Sequence, residues 1–244
     1  MNDDLHSSAS RSNLNRQIQK YPRKGTRIFE IEFTSRCNLA CHYCPHGVKD
    51  LMTRPKMDMP DDVFDRVLIW LKYYSDQGTQ GEISLQGLGE STLHPKFIEM
   101  IIKVRGVIPN NSILVSTNGL LLNEDMCRAA KAYGIRIDIS LHRPEKAAQA
   151  YFLAEKFGVL GVAGIPAVTT PVNWAGQLDW IQGVKPYPCP WLHQGGLYML
   201  SNGNIATCGF DVDEASVVGD IWTDPKVGVE VKPWRCCATC HQIP

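Results

Sequence analysis

Polar and apolar positions fall into two alternating rhythms over the first two thirds of the chain. "RIFEIEF" (27–33) alternates with period two and reads as a strand, whereas "MPDDVFDRVLIWLKYYSDQG" (59–78) opens on Pro and Asp and repeats apolar residues at helical spacing through Val63, Val67, Leu68 and Leu71. The same exchange recurs downstream. A strand and turn at 81–89 precede a helix at 94–106, a strand at 112–119, and a helix at 123–134 that runs from an Asn cap to a Gly stop. A strand at 135–142, a helix at 144–158 and the apolar run "VLGVAGIPAV" follow. Strands alternating with helices of about three turns predict parallel βα units with function at the carboxyl ends of the strands. Five strand-like stretches are too few for a closed eight-unit barrel, so the expected fold is α/β, a partial, open barrel of the TIM type.

After "TTPVNWAGQ" (169–177) the rhythm stops, and Gly, Pro, Trp and Cys take over. The expected organisation is therefore an irregular polar tail or arm over 1–25, a barrel over 26–170 and a small cysteine-rich domain over 171–244. Lys plus Arg and Asp plus Glu both number 25, which gives zero formal charge and removes the field that nucleic-acid binders rely on. No apolar run approaches bilayer length, and the N-terminus lacks the basic start and apolar stretch of a secretion signal. A cytoplasmic protein with neither nucleic acid nor membrane as partner is expected. Nine cysteines in a reducing compartment then point to metal or redox chemistry in preference to disulfides.

Three of them, Cys37, Cys41 and Cys44, form a C-x3-C-x2-C run in "FTSRCNLACHYCPHG", directly after the first strand. Three thiolates hold a four-iron cluster while leaving one iron open to an outside molecule. A structural zinc site needs four closed ligands, for which His42 or His46 is available. The run, with the aromatic Tyr43 before its third cysteine, resembles the signature of the radical S-adenosylmethionine (SAM) enzymes. "LQGLGESTLHP" (85–95) resembles that family's Gly-Gly-Glu segment, with Gly87, Gly89 and Glu90 in place and Leu88 where the first Gly often stands. "VSTNGLLL" (115–122), containing Ser116 and Asn118, resembles the segment after strand three, and Ser140 lies where the family has a polar contact to SAM. The resemblance covers roughly 27–168. It implies a [4Fe-4S] cluster on Cys37, Cys41 and Cys44, SAM held by the residues just named, and an external one-electron reductant such as flavodoxin or ferredoxin.

The late cysteines surround a hairpin-like "LYML-SNGN-IATC" stretch, with Cys189 and Cys208 at its ends and Cys236, Cys237 and Cys240 in the terminal "WRCCATC". Taken alone, such a set suits zinc or iron–sulfur equally. Its order resembles the compact twitch form of the SPASM auxiliary domain, which implies a second [4Fe-4S] cluster on Cys189, Cys208, Cys237 and Cys240. Cys236 could replace Cys237 or stay as a spare thiol, and Cys127 reads as a small buried hydrophobe. Among twitch enzymes the likeness is nearest to the inosamine alcohol dehydrogenases of aminoglycoside biosynthesis. It implies dehydrogenation of a small molecule, with the auxiliary cluster as electron acceptor. Arg143, His142, His193 and Lys185 are candidate bases, and Trp174, Trp191 and Tyr198 candidate pocket walls. Epimerisation with Cys236 or Cys127 returning a hydrogen, peptide crosslinking, and a non-enzymatic zinc or electron-transfer role are the alternatives.

Overall fold

The computed structural model describes residues 24–48, 50–141, 143–163, 177, 189–238 and 240. The division expected near residue 171 lies outside them. Within them the chain runs β1 (Arg27–Ile31), α1 (Asp61–Asp76), β2 (Ile83–Leu85), α2 (Phe97–Val107), β3 (Ile113–Thr117), α3 (Glu124–Ala132) and β4 (Arg136–Ile139). It continues with α4 (Pro144–Phe157), β5 (Leu160–Ala163), a short α5 (Pro190–His193), β6 (Gly196–Met199), β7 (Asn204–Ala206) and β8 (Val217–Asp220).

These strands form one sheet in the order β5-β4-β3-β2-β1-β6-β7-β8. β1 to β6 are parallel and β6-β7-β8 antiparallel, so a partial barrel carries the late hairpin on the edge that β1 would otherwise leave unpaired. The predicted hairpin around "SNGN" forms, and the cysteine-rich segment joins the barrel's own sheet.

Alternation decides which side chains meet the helices. Ile28, Ile31, Phe33, Ile83, Leu85, Ile113, Val115, Ile137 and Ile139 face α1 to α4 in one core, which Leu197, Met199 and Ile205 extend across the hairpin. α1 buries Val63, Phe64, Val67, Trp70, Leu71 and Tyr74. Leu68, expected in that stripe, is only partly buried, because Trp70 turns inward instead and its indole N–H donates to the Ile221 carbonyl at 3.0 Å. The predicted Asn cap of α3 is present, with Asn123 Oδ1 accepting from Met126 N at 3.0 Å, and Cys127 is fully buried as expected.

On the other face, β1 presents Phe29, Glu30 and then Glu32. A register shift between Ile28 and Glu30 brings Glu30 opposite Ser84 on one side and Tyr198 on the other. Glu32, just past the strand, is 2 % exposed and pairs through both oxygens with both terminal nitrogens of Arg54. It also accepts from Leu88 N at 3.0 Å, Ser201 N at 3.3 Å and Ser201 Oγ at 2.9 Å. One carboxylate therefore fastens the loops that follow β1, β2 and β6.

Removing one partner of such a buried pair leaves an uncompensated charge. Arg54→Ala is expected to lower unfolding stability by about 3–5 kcal/mol, and adding Glu32→Gln to recover part of the loss, as read by urea denaturation. A loss under about 1 kcal/mol, the level of an exposed pair, would contradict this assignment.

Candidate active site

The first cysteine loop is fixed at its start by short-range polar bonds. Thr34 Oγ1 donates to Asp58 Oδ1 at 2.7 Å, and Arg36 grips the same carboxylate at 3.0 and 2.7 Å. Ser35 and Met57 exchange bonds at 2.9 and 2.8 Å, so residues 33–36 are laid against 55–59. From this anchor the chain turns through the three thiols. Cys44 N donates to the Cys41 carbonyl, Leu39 N points at Cys37 Sγ at 3.4 Å, and the His46 amide points at Cys44 Sγ. Burial raises the Cys37 thiol, with the charges of Glu90 and Cys41 adding, and pushes Cys44 up to about 11, with the charges of Cys37 and Cys41 adding. Thiolates in this loop need a cation, and amide N–H groups aimed at sulfur are what an iron–sulfur cluster uses. Two details fit such a group. Nε2 of His46 is buried without a partner, and a Cβ on Gly47 would come within 2.2 Å of the Cys41 carbonyl, so only glycine closes the turn.

Beside this loop lies the β2 turn. A Cβ on Gly89 would stand 2.1 Å from the Thr34 carbonyl and 2.6 Å from that of Arg36, and one on Gly87 would strike the Glu32 side chain. Gly89 therefore lets backbone approach backbone at the mouth of the barrel, and Gly87 makes room for the Glu32 side chain. Glu90, 4 % exposed, accepts from Thr92 Oγ1 at 2.5 Å, Thr117 Oγ1 at 2.7 Å and Asn118 N at 2.7 Å. It ties the β2 loop to the β3 loop, and only spare lone pairs remain for an ammonium group. Asn118 reaches the other way, its Nδ2 donating to Asn38 Oδ1 at 2.7 Å within the cysteine loop.

Ser116 lies on the inner face of β3, its neighbours Val115 and Thr117 being buried on the other, and Ser140 N bonds the Thr117 carbonyl at 2.8 Å. Tyr43 is buried, its hydroxyl pushed up to about 12 by burial and by its bond to the Cys41 thiol, while the charge of Arg143 pulls it down. Arg143, itself exposed at the start of α4, is thereby within electrostatic reach of the first loop. The structure thus gathers Tyr43, Gly87, Gly89, Glu90, Ser116, Asn118, Ser140 and Arg143 around one mouth. His142, Lys185 and Trp174 lie outside the described residues, and His193 is exposed at the end of α5.

The late cysteines form a second group. Cys208 is raised by burial, with the charges of Cys237, Cys240 and Cys189 adding, and Cys237 is pushed up to about 12 by burial, with Cys189, Cys240 and Cys236 adding. Backbone amides again face the sulfurs, from Leu192 and Trp191 to Cys189, from Phe210 to Cys208 and from Trp234 to Cys237. Cys236 is buried beside Trp234, and its thiol is pushed up to about 11 by burial. Among the described residues no three His, Cys, Asp or Glu side chains converge closely enough to hold one metal ion, and the cysteines of each group instead interact at longer range.

One residue went unnoticed in the sequence. Glu30 faces the barrel interior, accepts from Gln86 Nε2 at 2.9 Å, and is pushed up to about 8 chiefly by burial, with Glu32 raising it further and Gln86 and Arg54 opposing. Its neighbour Tyr198 is raised by burial, and next by the charges of Glu30, Cys208 and Cys189, with Arg27 opposing. Glu30 and the second cysteine group thus both act on one tyrosine, and Gly209, next to Cys208, lies close to both, since a Cβ there would come within 2.7 Å of the Tyr198 ring and 3.2 Å of Glu30 Oε1. The available signal was the polar face of "RIFEIEF", which aims two glutamates at the site.

Residues 31–155 match the Radical SAM superfamily. Among curated proteins, the chain is 33 % identical over 107 residues to the tungsten-containing aldehyde ferredoxin oxidoreductase cofactor-modifying protein of Pyrococcus furiosus, a match covering 43 % of this chain and 27 % of that one. It is 31 % identical over 125 residues to GTP 3′,8-cyclase of Aquifex aeolicus, covering 49 % and 37 %. The chain thus spans only about a third of the length of the curated relatives it matches. In shape it resembles BtrN in complex with AdoMet and 2-DOIA, with a TM-score of 0.71, 20 % identity and coverage of 90 % and 94 %. It also resembles anSMEcpe with bound AdoMet and a Cp18Cys peptide, with a TM-score of 0.58, 14 % identity and coverage of 82 % and 79 %. Among the described residues no helix is long and apolar enough to cross a membrane.

Because Glu30 keeps its proton to about 8 instead of the ordinary 4.5, the folded chain holds one more proton than the unfolded chain between those values. Its contribution to stability is present below the lower value and lost as pH rises through the upper. Urea midpoints of the holoprotein should fall from about pH 5 to about pH 8, and Glu30→Gln should flatten part of that slope. Parallel slopes for both proteins would refute the enclosed, protonated carboxyl.

Proposed function

This chain belongs to the radical SAM superfamily, and from that premise we propose that it dehydrogenates an alcohol carbon of a small, polyol-like molecule. The observation that carries the proposal is the closeness of Glu30, Tyr198 and Gly209, the residue after Cys208: a Cβ on Gly209 would lie 2.7 Å from the Tyr198 ring and 3.2 Å from Glu30 Oε1, so a proton acceptor and an electron exit would share one wall of the barrel. The shape likeness to BtrN, whose structure holds AdoMet and 2-DOIA, supports the small-molecule reading.

In this proposal Cys37, Cys41 and Cys44 hold one [4Fe-4S] cluster, and Cys189, Cys208, Cys237 and Cys240 a second. When bound and reduced by a flavodoxin- or ferredoxin-like donor, these groups would supply one-electron cleavage of SAM to methionine and a 5′-deoxyadenosyl radical able to take the carbinol hydrogen atom, and the second cluster would be the acceptor for the remaining electron. Tyr43, the backbone at Gly87 and Gly89, Ser116 and Ser140 line the SAM site, while Glu90 and Asn118 hold its walls at fixed spacing. Arg143, with His142 next to it in sequence, orients the substrate hydroxyl. Glu30 takes the hydroxyl proton, so the alcohol loses one hydrogen atom, one proton and one electron and becomes a ketone. Gln86 keeps the Glu30 carboxyl aimed inward through its 2.9 Å bond. Cys236 is buried against Trp234 in a cluster that does not include Phe29 or Tyr198, which favours dehydrogenation over an epimerisation that needs an accessible thiol at the substrate.

Anaerobic turnover with substrate alcohols deuterated at carbon supplies the test. Ketone, 5′-deoxyadenosine carrying one deuterium, and methionine should form in equal amounts. The rate should rise with pH through about 8, the value for Glu30. Glu30→Gln should lower ketone formation by about 100-fold while SAM is still cleaved. Recovery of the alcohol with inverted configuration and solvent hydrogen at that carbon would replace this reading by epimerisation.

A further inference from the structure

Trp234 is 6 % exposed, and its indole nitrogen is buried with no hydrogen-bond partner. Buried Trp N–H groups nearly always find an acceptor, and an indole can only donate. The surroundings offer sulfur in place of oxygen. Trp234 forms a small buried cluster with Cys236, against which Cys208, Phe210, Cys237 and Cys240 pack. Its backbone is already committed to this group, since Trp234 N points at Cys237 Sγ at 3.4 Å and its carbonyl accepts from Cys237 N at 3.0 Å. Leaving the indole donor unpaired in such a place carries the full desolvation penalty of the N–H, which a sulfur acceptor supplied from outside the chain would remove.

We propose that the Trp234 indole N–H is a hydrogen-bond donor to a sulfur of the group held by Cys189, Cys208, Cys237 and Cys240, and that this bond raises the potential at which that group accepts an electron. The inference rests on the second-cluster reading above. Its physical basis is general: hydrogen bonds to the sulfurs of an iron–sulfur cluster stabilise the reduced, more negative state. Trp234 is a positioning and tuning residue here, with no contact to substrate required. Arg235, which pairs with Asp213 at the surface, also reaches the Cys236 thiol, whereas the Trp234 indole N–H has no acceptor and is buried.

The test compares three proteins: wild type, Trp234→Phe, and a chain with 3-benzothienylalanine at 234, which keeps the shape of tryptophan and loses only the N–H. Each is prepared in the Cys37/Cys41/Cys44→Ala background and in the otherwise wild-type chain, where the signal that responds to SAM is subtracted. The midpoint potential, followed by electron paramagnetic resonance, should fall in both altered proteins. An exchangeable proton coupled to the cluster in wild type should disappear from both. An unchanged potential and a retained proton coupling in the benzothienylalanine protein, with iron present, would overturn this inference alone. Absence of any cluster in the triple-alanine background, together with a single SAM-responsive cluster in the wild-type chain, would overturn the two-cluster reading along with it.

Discussion

The buried carboxylate of Glu32 is the constraint on which the rest of the site depends. A charge taken out of water must be answered by donors, and here the donors come from three different loops: Arg54 beyond the cysteine turn, Leu88 after β2 and Ser201 after β6. The need to satisfy one side chain therefore sets the spacing of the barrel mouth. It also explains Gly87, whose missing side chain leaves room for the Glu32 methylene. The Glu32–Arg54 pair earns little stability over an apolar pair of equal volume, yet it demands that all three loops take one arrangement.

A second carboxylate, Glu90, repeats the device one strand over. Thr117 and Asn118 from β3 and Thr92 from the β2 loop converge on it, and Asn118 passes the connection on to Asn38 among the cysteines. Glu30 differs in having, among the described residues, one neutral donor, Gln86, and no directly bonded cation, so burial dominates and pushes it up to about 8. Three glutamates within one short region thus take different parts because their partners differ. Two are structural anchors and the third is available for chemistry.

Local pattern revealed much of this. The period-two and helical rhythms located the strands and helices of the barrel, the Asn123 cap started α3 where expected, and the "SNGN" turn joined β6 to β7. The cysteine spacing pointed to the first loop because its three thiols are close neighbours in the chain. Pairings across long separations were not legible: nothing local says that β6 lies beside β1, or that Arg54 answers Glu32. β8 was missed because four half-buried residues containing Gly carry no periodic signal. Leu68 was misjudged because Trp70 takes the inward place, held there by a carbonyl more than a hundred residues away. Glu30 was overlooked since an acidic residue on a strand's polar face usually meets water, and only the strand beyond it, β6 with Tyr198, encloses it.

The proposed dehydrogenation requires two separate iron–sulfur groups, one on each cysteine set. Iron and sulfide analysis of anaerobically reconstituted protein, with and without Cys37/Cys41/Cys44→Ala, measures this most directly. About eight irons in wild type and about four in the variant, with a SAM-dependent change in the resonance signal of wild type only, is the predicted result. Zinc at the late cysteines, or iron for one cluster alone, would contradict the account and remove the electron exit that dehydrogenation requires.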